Sequence, residues 1–275
     1  MNSSAASYTL TSDVENLTLT GAAAINGLGN ALDNVILGNA AGNTLAGMDG
    51  NDTLNGGAGD DVLNGGAGDD VLIGGTGADA MSGGLGNDVY EVTEAGDTVI
   101  EVAGGGIDTV WTSIDFSLAA EVENLFKGDV SAFTGTGNDL ANQITGNAGN
   151  DTLIGGLGSD TLTGGAGADI FALLTLADSG ITPASRDIIT DFVNGTDRID
   201  LSAIDANSSA IGNNAFTFIG NGIFSGGGAL TAGQLRYSFA GANTLVEGDV
   251  DGDGTADFQI QLTGNHTMTA ADLIV

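Results

Sequence analysis

Residues Gly56 to Glu91 read GGAGDDVLN, GGAGDDVLI, GGTGADAMS and GGLGNDVYE, four consecutive blocks of nine. Each block obeys G-G-x-G-x-D-x-U-x, where U is a large apolar residue. The frame runs backwards with decay through GMDGNDTLN from Gly47, GNAAGNTLA from Gly38 and GNALDNVIL from Gly29. A second array opens at Gly137 with GNDLANQIT and continues as GNAGNDTLI, GGLGSDTLT and GGAGADIFA to Ala172. A low-complexity glycine linker would not keep an apolar residue in the eighth place of every block, so these are structural repeats.

Two kinds of backbone coexist in a block. The first six residues carry turn chemistry, with glycines supplying positive φ and close backbone approach. The last three, such as Val62-Leu63-Asn64, form a minimal strand with one side chain facing in. Two blocks make one coil with a strand on each side, and successive coils stack as parallel strands about 4.8 Å apart. Leu54, Leu63, Leu72 and Met81 then line the interior, as do Leu153 and Leu162, with the bulkier Tyr90 and Phe171 plugging the array ends. The expected fold is all-β, a right-handed parallel β-roll.

This geometry stacks aspartates along two edges. Asp52, Asp70 and Asp88 line one edge of the first array, with Asp61 and Asp79 on the other. In the second array Asp151 and Asp169 share an edge opposite Asp160. Carboxylates at strand spacing repel unless a cation sits between them. Ca²⁺ takes about 6–8 oxygens, which the Asp carboxylates and the turn carbonyls can supply together. The candidate turn glycines are Gly50, Gly57, Gly59, Gly66, Gly68, Gly75, Gly77, Gly84 and Gly86 in the first array. In the second they are Gly156, Gly158, Gly165 and Gly167. Asn34, Asn43 and Asn142 stand in the Asp place, so those turns should bind weakly or not at all.

Composition points the same way. Asp+Glu number 36 against 4 Lys+Arg, a net charge of −32, while 41% of residues are hydrophobic. That charge repels nucleic acid and anionic membrane surfaces, and the apolar share is high for a disordered acidic chain. Neutralisation by bound cations is the better reading. There is no Cys, so disulfides and thiolate metal sites are excluded. No stretch approaches the roughly 18 apolar residues of a membrane span. Met1-Asn2-Ser3-Ser4 lacks the basic and apolar regions of a cleavable signal peptide.

A larger repeat encloses the small one. Val14-Glu15-Asn16-Leu17 matches Val122-Glu123-Asn124-Leu125, a shift of 122 − 14 = 108, or twelve blocks. The first copy lacks what precedes Phe116 in the second, so the chain reads as cut from a longer protein with upstream domains missing. The expected organisation is a partial unit over 1–28, the first array over 29–91 and an irregular β connecting segment over 92–136. The second array follows over 137–172, then a distinct C-terminal region over 173–275.

The nonapeptide resembles that of the RTX calcium-binding repeat proteins. The C-terminal region adds Arg186-Asp187-Ile188-Ile189-Thr190-Asp191-Phe192, Asp197-Arg198-Ile199-Asp200-Leu201-Ser202 and Gln234-Leu235-Arg236-Tyr237. Thr244-Leu245-Val246-Glu247 and Phe258-Gln259-Ile260-Gln261-Leu262 follow as alternating strands joined by a turn. This order resembles the C-terminal domain of serralysin-type secreted metallopeptidases and the R-modules of alginate epimerases. The resemblance implies a roll capped by a β-sandwich-like segment, exported by a type I secretion apparatus. Asp272-Leu273-Ile274-Val275 looks like the uncleaved C-terminal signal of such substrates. The turn between the last two strands, Asp249-Val250-Asp251-Gly252-Asp253-Gly254 with Asp257 beyond it, opens like an EF-hand loop but lacks its closing Glu. It reads either as a further calcium site or as an acidic hairpin turn.

Catalytic motifs are not found. His266 is the one histidine, so H-E-x-x-H cannot be built, and there is no G-x-S-x-G. The expected protein is a secreted, extracellular calcium-binding module that folds on meeting calcium and has no enzyme activity by itself. The alternative is a calcium-dependent polysaccharide-binding, adhesin or surface-layer protein held at the cell surface.

Overall fold

The computed structural model describes residues 7–207 and 210–275. Met1-Asn2-Ser3-Ser4 lies outside them. The described residues are nearly all-β, with 3-10 turns at Gly228–Leu230 and Ala270–Asp272. The chain forms two compact units, Met1–Ile114 with Leu118–Gly128, and Asp115–Ser117 with Asp129–Val275.

In the first unit consecutive strands alternate between two parallel sheets. One sheet carries Thr44–Asp49, Val62–Ala67, Ala80–Leu85 and Thr98–Ile100 in that order. The other carries Val35–Leu37, Thr53–Ala58, Val71–Thr76, Val89–Val92, Thr109–Thr112 and Asn124–Lys127. Leu54 pairs with Leu72 and Leu63 with Met81, a register of eighteen residues. The eighth residues of the blocks therefore form two facing ladders. Ile36, Leu54, Leu72 and Tyr90 stack on one side, Leu45, Leu63 and Met81 on the other, all buried. Each such side chain stabilises the roll by about 1.5–3 kcal/mol.

The array strands are longer than the three-residue minimum expected. Thr53–Ala58 runs through both glycines of the next block, and Gly57 and Ala58 still pair with Gly75 and Thr76. Positive φ at Gly57 bends the strand into the turn without ending its pairing. Residues 92–136 also contribute coils, through strands such as Thr109–Thr112 and Asn124–Lys127.

The second unit repeats the plan. Gln143–Asn147, Thr161–Gly165, Asp187–Ile189 and Phe258–Leu262 form one parallel run. Thr134–Thr136, Thr152–Ile154, Ile170–Ala172, Arg198–Asp200 and Leu273–Ile274 form the other. At Phe258–Leu262 pairing turns antiparallel, to Asn243–Asp249 and then Gln234–Ala240. The cap thus extends the sheets of the roll, and one of them runs on through the hairpin to the two-residue strand Thr217–Phe218, which pairs in parallel with Gln234–Ala240 and leaves only a short edge.

Candidate metal centre

The roll places the sixth residue of each block at the sheet edge, where two oxygens of one carboxylate have separate fates. In each stack Oδ1 accepts the backbone N–H of the sixth residue one coil earlier. Asp70 Oδ1 takes Asp52 N–H at 2.7 Å and Asp88 Oδ1 takes Asp70 N–H at 2.8 Å. On the other edge Asp79 Oδ1 takes Asp61 N–H at 2.8 Å. In the second unit Asp169 Oδ1 takes Asp151 N–H at 2.9 Å, and Asp160 Oδ1 takes Asn142 N–H at 2.8 Å.

The other oxygen sorts the turns into two classes. Oδ2 is buried with no hydrogen-bond partner in Asp52, Asp61, Asp70, Asp79, Asp88, Asp108, Asp160 and Asp169. Four residues earlier stand Met48, Gly57, Gly66, Gly75, Gly84, Gly104, Gly156 and Gly165, all with positive φ. Where that residue lacks positive φ, its N–H reaches forward and satisfies the side chain. Asn147 N–H donates to Asp151 Oδ2 at 3.2 Å. Asn30, Asn39 and Asn138 donate likewise to Asn34, Asn43 and Asn142 at 2.7–2.8 Å. A Gly-Gly block thus leaves an orphaned carboxylate oxygen, and a Gly-Asn block closes on itself.

The orphaned oxygen faces a cradle of bare backbone. A Cβ on Gly65 would collide with Asp70 Oδ2 and lie 2.8 Å from Gly83 O, and one on Gly56 would meet Asp61 Oδ2 and Gly74 O in the same way. Gly56 and Gly65 have no positive φ, so the first glycine of the block is required by space rather than by backbone conformation. Orphaned buried carboxylate oxygens are costly unless a partner arrives. Gly74 O beside Asp61 Oδ2 and Gly83 O beside Asp70 Oδ2 make these neighbours all oxygen, the donor type that a hard divalent cation such as Ca²⁺ prefers. The residues therefore fit the ion.

All thirteen turn glycines singled out above have φ between +92° and +151°. Gly66 shows why the turn needs one: a Cβ there would collide with Met48 O of the coil before. Residues in the fifth place form an outer ladder, in which Asp69 N–H donates to Asn51 Oδ1 and Asn87 N–H to Asp69 Oδ1.

Burial dominates the electrostatics of the edges. It pushes Asp52 and Asp61 up to about 6 and Asp70 up to about 7, against the lowering effect of the backbone N–H each accepts. Neighbouring aspartates push the same way. Asp160 rises to about 7 and Asp169 to about 6 for the same reasons. Asp79 and Asp88 are also raised, again chiefly by burial.

Several edge residues lay beyond the sequence pattern. Asp97 Oδ1 accepts Asp79 N–H at 3.2 Å and Asp108 Oδ1 accepts Asp88 N–H at 2.8 Å. Asp187 and Asp197 continue the second unit's edges, taking Asp160 N–H and Asp169 N–H at 3.0 Å. Burial pushes Asp187 up to about 8. Asp97 stands eighteen residues after Asp79, so counting on by one coil would have found it. Longer connections displace the other three from that count.

The acidic hairpin is of a different kind. Asp249, Asp251 and Asp257 bring carboxylate oxygens within 4.8 Å of one another. Yet Asp249 accepts Gly252 N–H and Gly254 N–H at 2.6 and 3.0 Å, and Asp257 Oδ2 accepts Val250 N–H at 2.6 Å. Asp253 Oδ1 holds Thr255 N–H at 2.7 Å. The loop's own amides engage these four aspartates. His266 is held between Asn194 Oδ1 and Thr263 O, at 2.9 and 3.0 Å.

The family models decide the identity of this architecture. Peptidase M10 serralysin C terminal matches residues 86–275, well over half of the chain. The chain belongs to the serralysin C-terminal family. The RTX calcium-binding nonapeptide repeat (4 copies) matches residues 28–63 and 56–90. This member of the family is thus an RTX calcium-binding repeat module built as a β-roll. No curated protein matches the chain.

Among solved structures this serralysin-type module is similar to two subunits of the Azotobacter vinelandii mannuronan C5-epimerase. The AlgE6R3 subunit is 30% identical, covering 57% of this chain and 80% of its own, with a TM-score of 0.38. The AlgE6R2 subunit is 29% identical, covering 60% and 89%, also with a TM-score of 0.38. The extracellular lipase LipA of Serratia marcescens is 13% identical over 94% of this chain and 40% of its own, with a TM-score of 0.31.

Proposed function

We propose that this chain is a secreted module that folds when extracellular calcium fills its edge turns, the non-catalytic part of a larger exported protein. The observation that carries the proposal is the set of buried, unpartnered Oδ2 atoms in the turns whose second residue has positive φ. Asp52, Asp61, Asp70, Asp79, Asp88, Asp160 and Asp169 would hold Ca²⁺ together with backbone carbonyls of the turns. The acidic hairpin of Asp249, Asp251, Asp253 and Asp257 would be a further, weaker site. When bound, the ion supplies charge neutralisation and cross-links one coil to the next.

Without it the stacked, desolvated carboxylates oppose folding, and a chain of charge −32 repels itself. The cytosol, poor in calcium, would then keep the chain loose enough for a type I exporter. Leu273–Ile274 is built into a sheet against Arg198–Asp200, so the exporter would read the C-terminal tail before that strand forms. Outside, calcium at about 10⁻⁴–10⁻³ M suits modules of this kind, and its binding free energy becomes folding free energy. Circular dichroism in chelator should show little β structure, with a cooperative gain on adding calcium. Identical spectra in the two conditions would reject the proposal.

One observation favours a second reading, that the folded roll binds an extracellular polysaccharide. Trp111 is 46% exposed and stacks on Phe126, with ring centroids 5.0 Å apart at 28°. Such a pair offers an apolar platform to a sugar face. Retention on a polysaccharide column in calcium, lost in the Trp111→Ala variant, would support it, and equal retention of both proteins would remove it.

A further inference from the structure

The first array ends on a group of carboxylates of which only Asp88 belongs to the nonapeptide pattern. Asp88, Glu101 and Asp108 each bring a carboxylate oxygen within 4.8 Å of the other two. Asp88 and Asp108 are 0% and 1% exposed, and Oδ2 of each has no hydrogen-bond partner.

Glu101 occupies a place that a regular block gives to glycine. The pairs Thr98 with Ala80, Val99 with Met81 and Ile100 with Ser82 set Glu101 opposite Gly83. A carboxylate side chain has thus entered the end turn where the regular coils present only backbone. Its position is fixed from two directions. Glu101 Oε1 accepts the hydroxyl of Tyr90, and Oε2 accepts Gly84 N–H at 3.3 Å and Val102 N–H at 3.1 Å. Tyr90 is fully buried, and its oxygen also accepts Gly83 N–H at 2.6 Å. The last aromatic rung of the core therefore does more than plug the ladder: its polar end holds the acid in place.

The geometry points to a three-carboxylate cation site in the last turn of the array, formed by Asp88 together with Glu101 and Asp108, with Tyr90 as its positioning residue. It rests on the calcium reading of the array turns and differs from the other turns in adding the carboxylates of Glu101 and Asp108 to the turn's own aspartate. More anionic oxygens in one oxygen-only site favour Ca²⁺ and, still more, a trivalent lanthanide. Placed on the last regular coil, the ion would tie the array to the longer 101–108 turn and close its end.

The test counts calcium ions bound per full-length chain by equilibrium dialysis, for the unaltered protein and for Glu101→Gln. The site predicts one ion fewer in the variant, or one binding step weakened at least tenfold, with the remaining ions still bound. Terbium gives a second readout, since Tyr90 touches a proposed ligand and should sensitise its luminescence. Tyr90→Phe should lose that component even if Glu101→Gln fails to fold. An unchanged ion count and affinity in Glu101→Gln, with unchanged terbium luminescence in Tyr90→Phe, would overturn the site while leaving the array reading intact. Failure of the unaltered chain to take up any calcium would overturn both.

Discussion

The backbone N–H of Asn147 donates to Asp151 Oδ2 at 3.2 Å and closes that turn from within. Gly156, in the same place of the next block, has a φ of +92° and leaves Asp160 Oδ2 without a partner. The sign of φ at the second position of a block thus decides whether the carboxylate is satisfied by the chain or waits for a cation. Asn147→Gly should therefore open the Asp151 turn, and the variant should bind one more calcium per chain. A calcium count unchanged from the parent protein would show that the amide is not what closes the turn.

Space at the first glycine makes a second test. A Cβ on Gly65 would collide with Asp70 Oδ2, whereas one on Gly128 would find its nearest neighbour at an ordinary 3.4 Å. Gly65→Ala should cost about 1–3 kcal/mol of calcium-loaded stability through overpacking, and Gly128→Ala should cost much less. Thermal denaturation in calcium compares them; equal midpoints would mean the cradle tolerates a methyl group.

The edges also set a pH dependence. Burial pushes Asp52 and Asp61 up to about 6, Asp70 to about 7 and Asp187 to about 8. A raised carboxylate favours the folded state most when protonated, below its ordinary value near 4, and that stability is lost as pH rises through 6 to 8. In chelator, β structure should be greater at about pH 5 than at about pH 8. Calcium needs the ionised form, so its affinity should rise over the same interval with protons released on binding. Titration calorimetry in buffers of different ionisation enthalpy measures that release; none at about pH 7 would contradict the assigned cause.

Met48 is the one open-turn residue at the second position that is not glycine, and its φ is +98°. An L side chain there is strained by about 1–3 kcal/mol, partly offset by the greater freedom of glycine in the unfolded chain. Met48→Gly should therefore raise stability by up to about 1 kcal/mol, read as a higher melting temperature in calcium. A lower one would mean that the half-exposed side chain contributes packing that outweighs the strain.

Much of this was legible in the sequence because eighteen residues close one coil. The block phase puts Leu54 on Leu72 and Leu63 on Met81, and the same count puts Asp52, Asp70 and Asp88 on one edge. The hairpin of Asn243–Asp249 and Phe258–Leu262 was readable from alternation. Other features were not. Asp187 and Asp197 lie 27 and 28 residues beyond their partners, because long connections break the count. Asp151 looks like its neighbours in the sixth place, and only the Asn147 backbone sets it apart. The first glycine of each block looks like a turn residue, whereas its role is to leave room for Oδ2 of its own aspartate.

The central claim is that calcium, rather than the apolar ladder alone, holds the arrays folded. Hydrogen–deuterium exchange of the peptides spanning Gly56 to Glu91 tests it most directly, because the amides of Asp61 and Asp70 donate to Asp79 and Asp88 only when the coils are stacked. Strong protection in calcium that collapses in chelator at about neutral pH is the predicted result. Equal protection in the two conditions would contradict the claim.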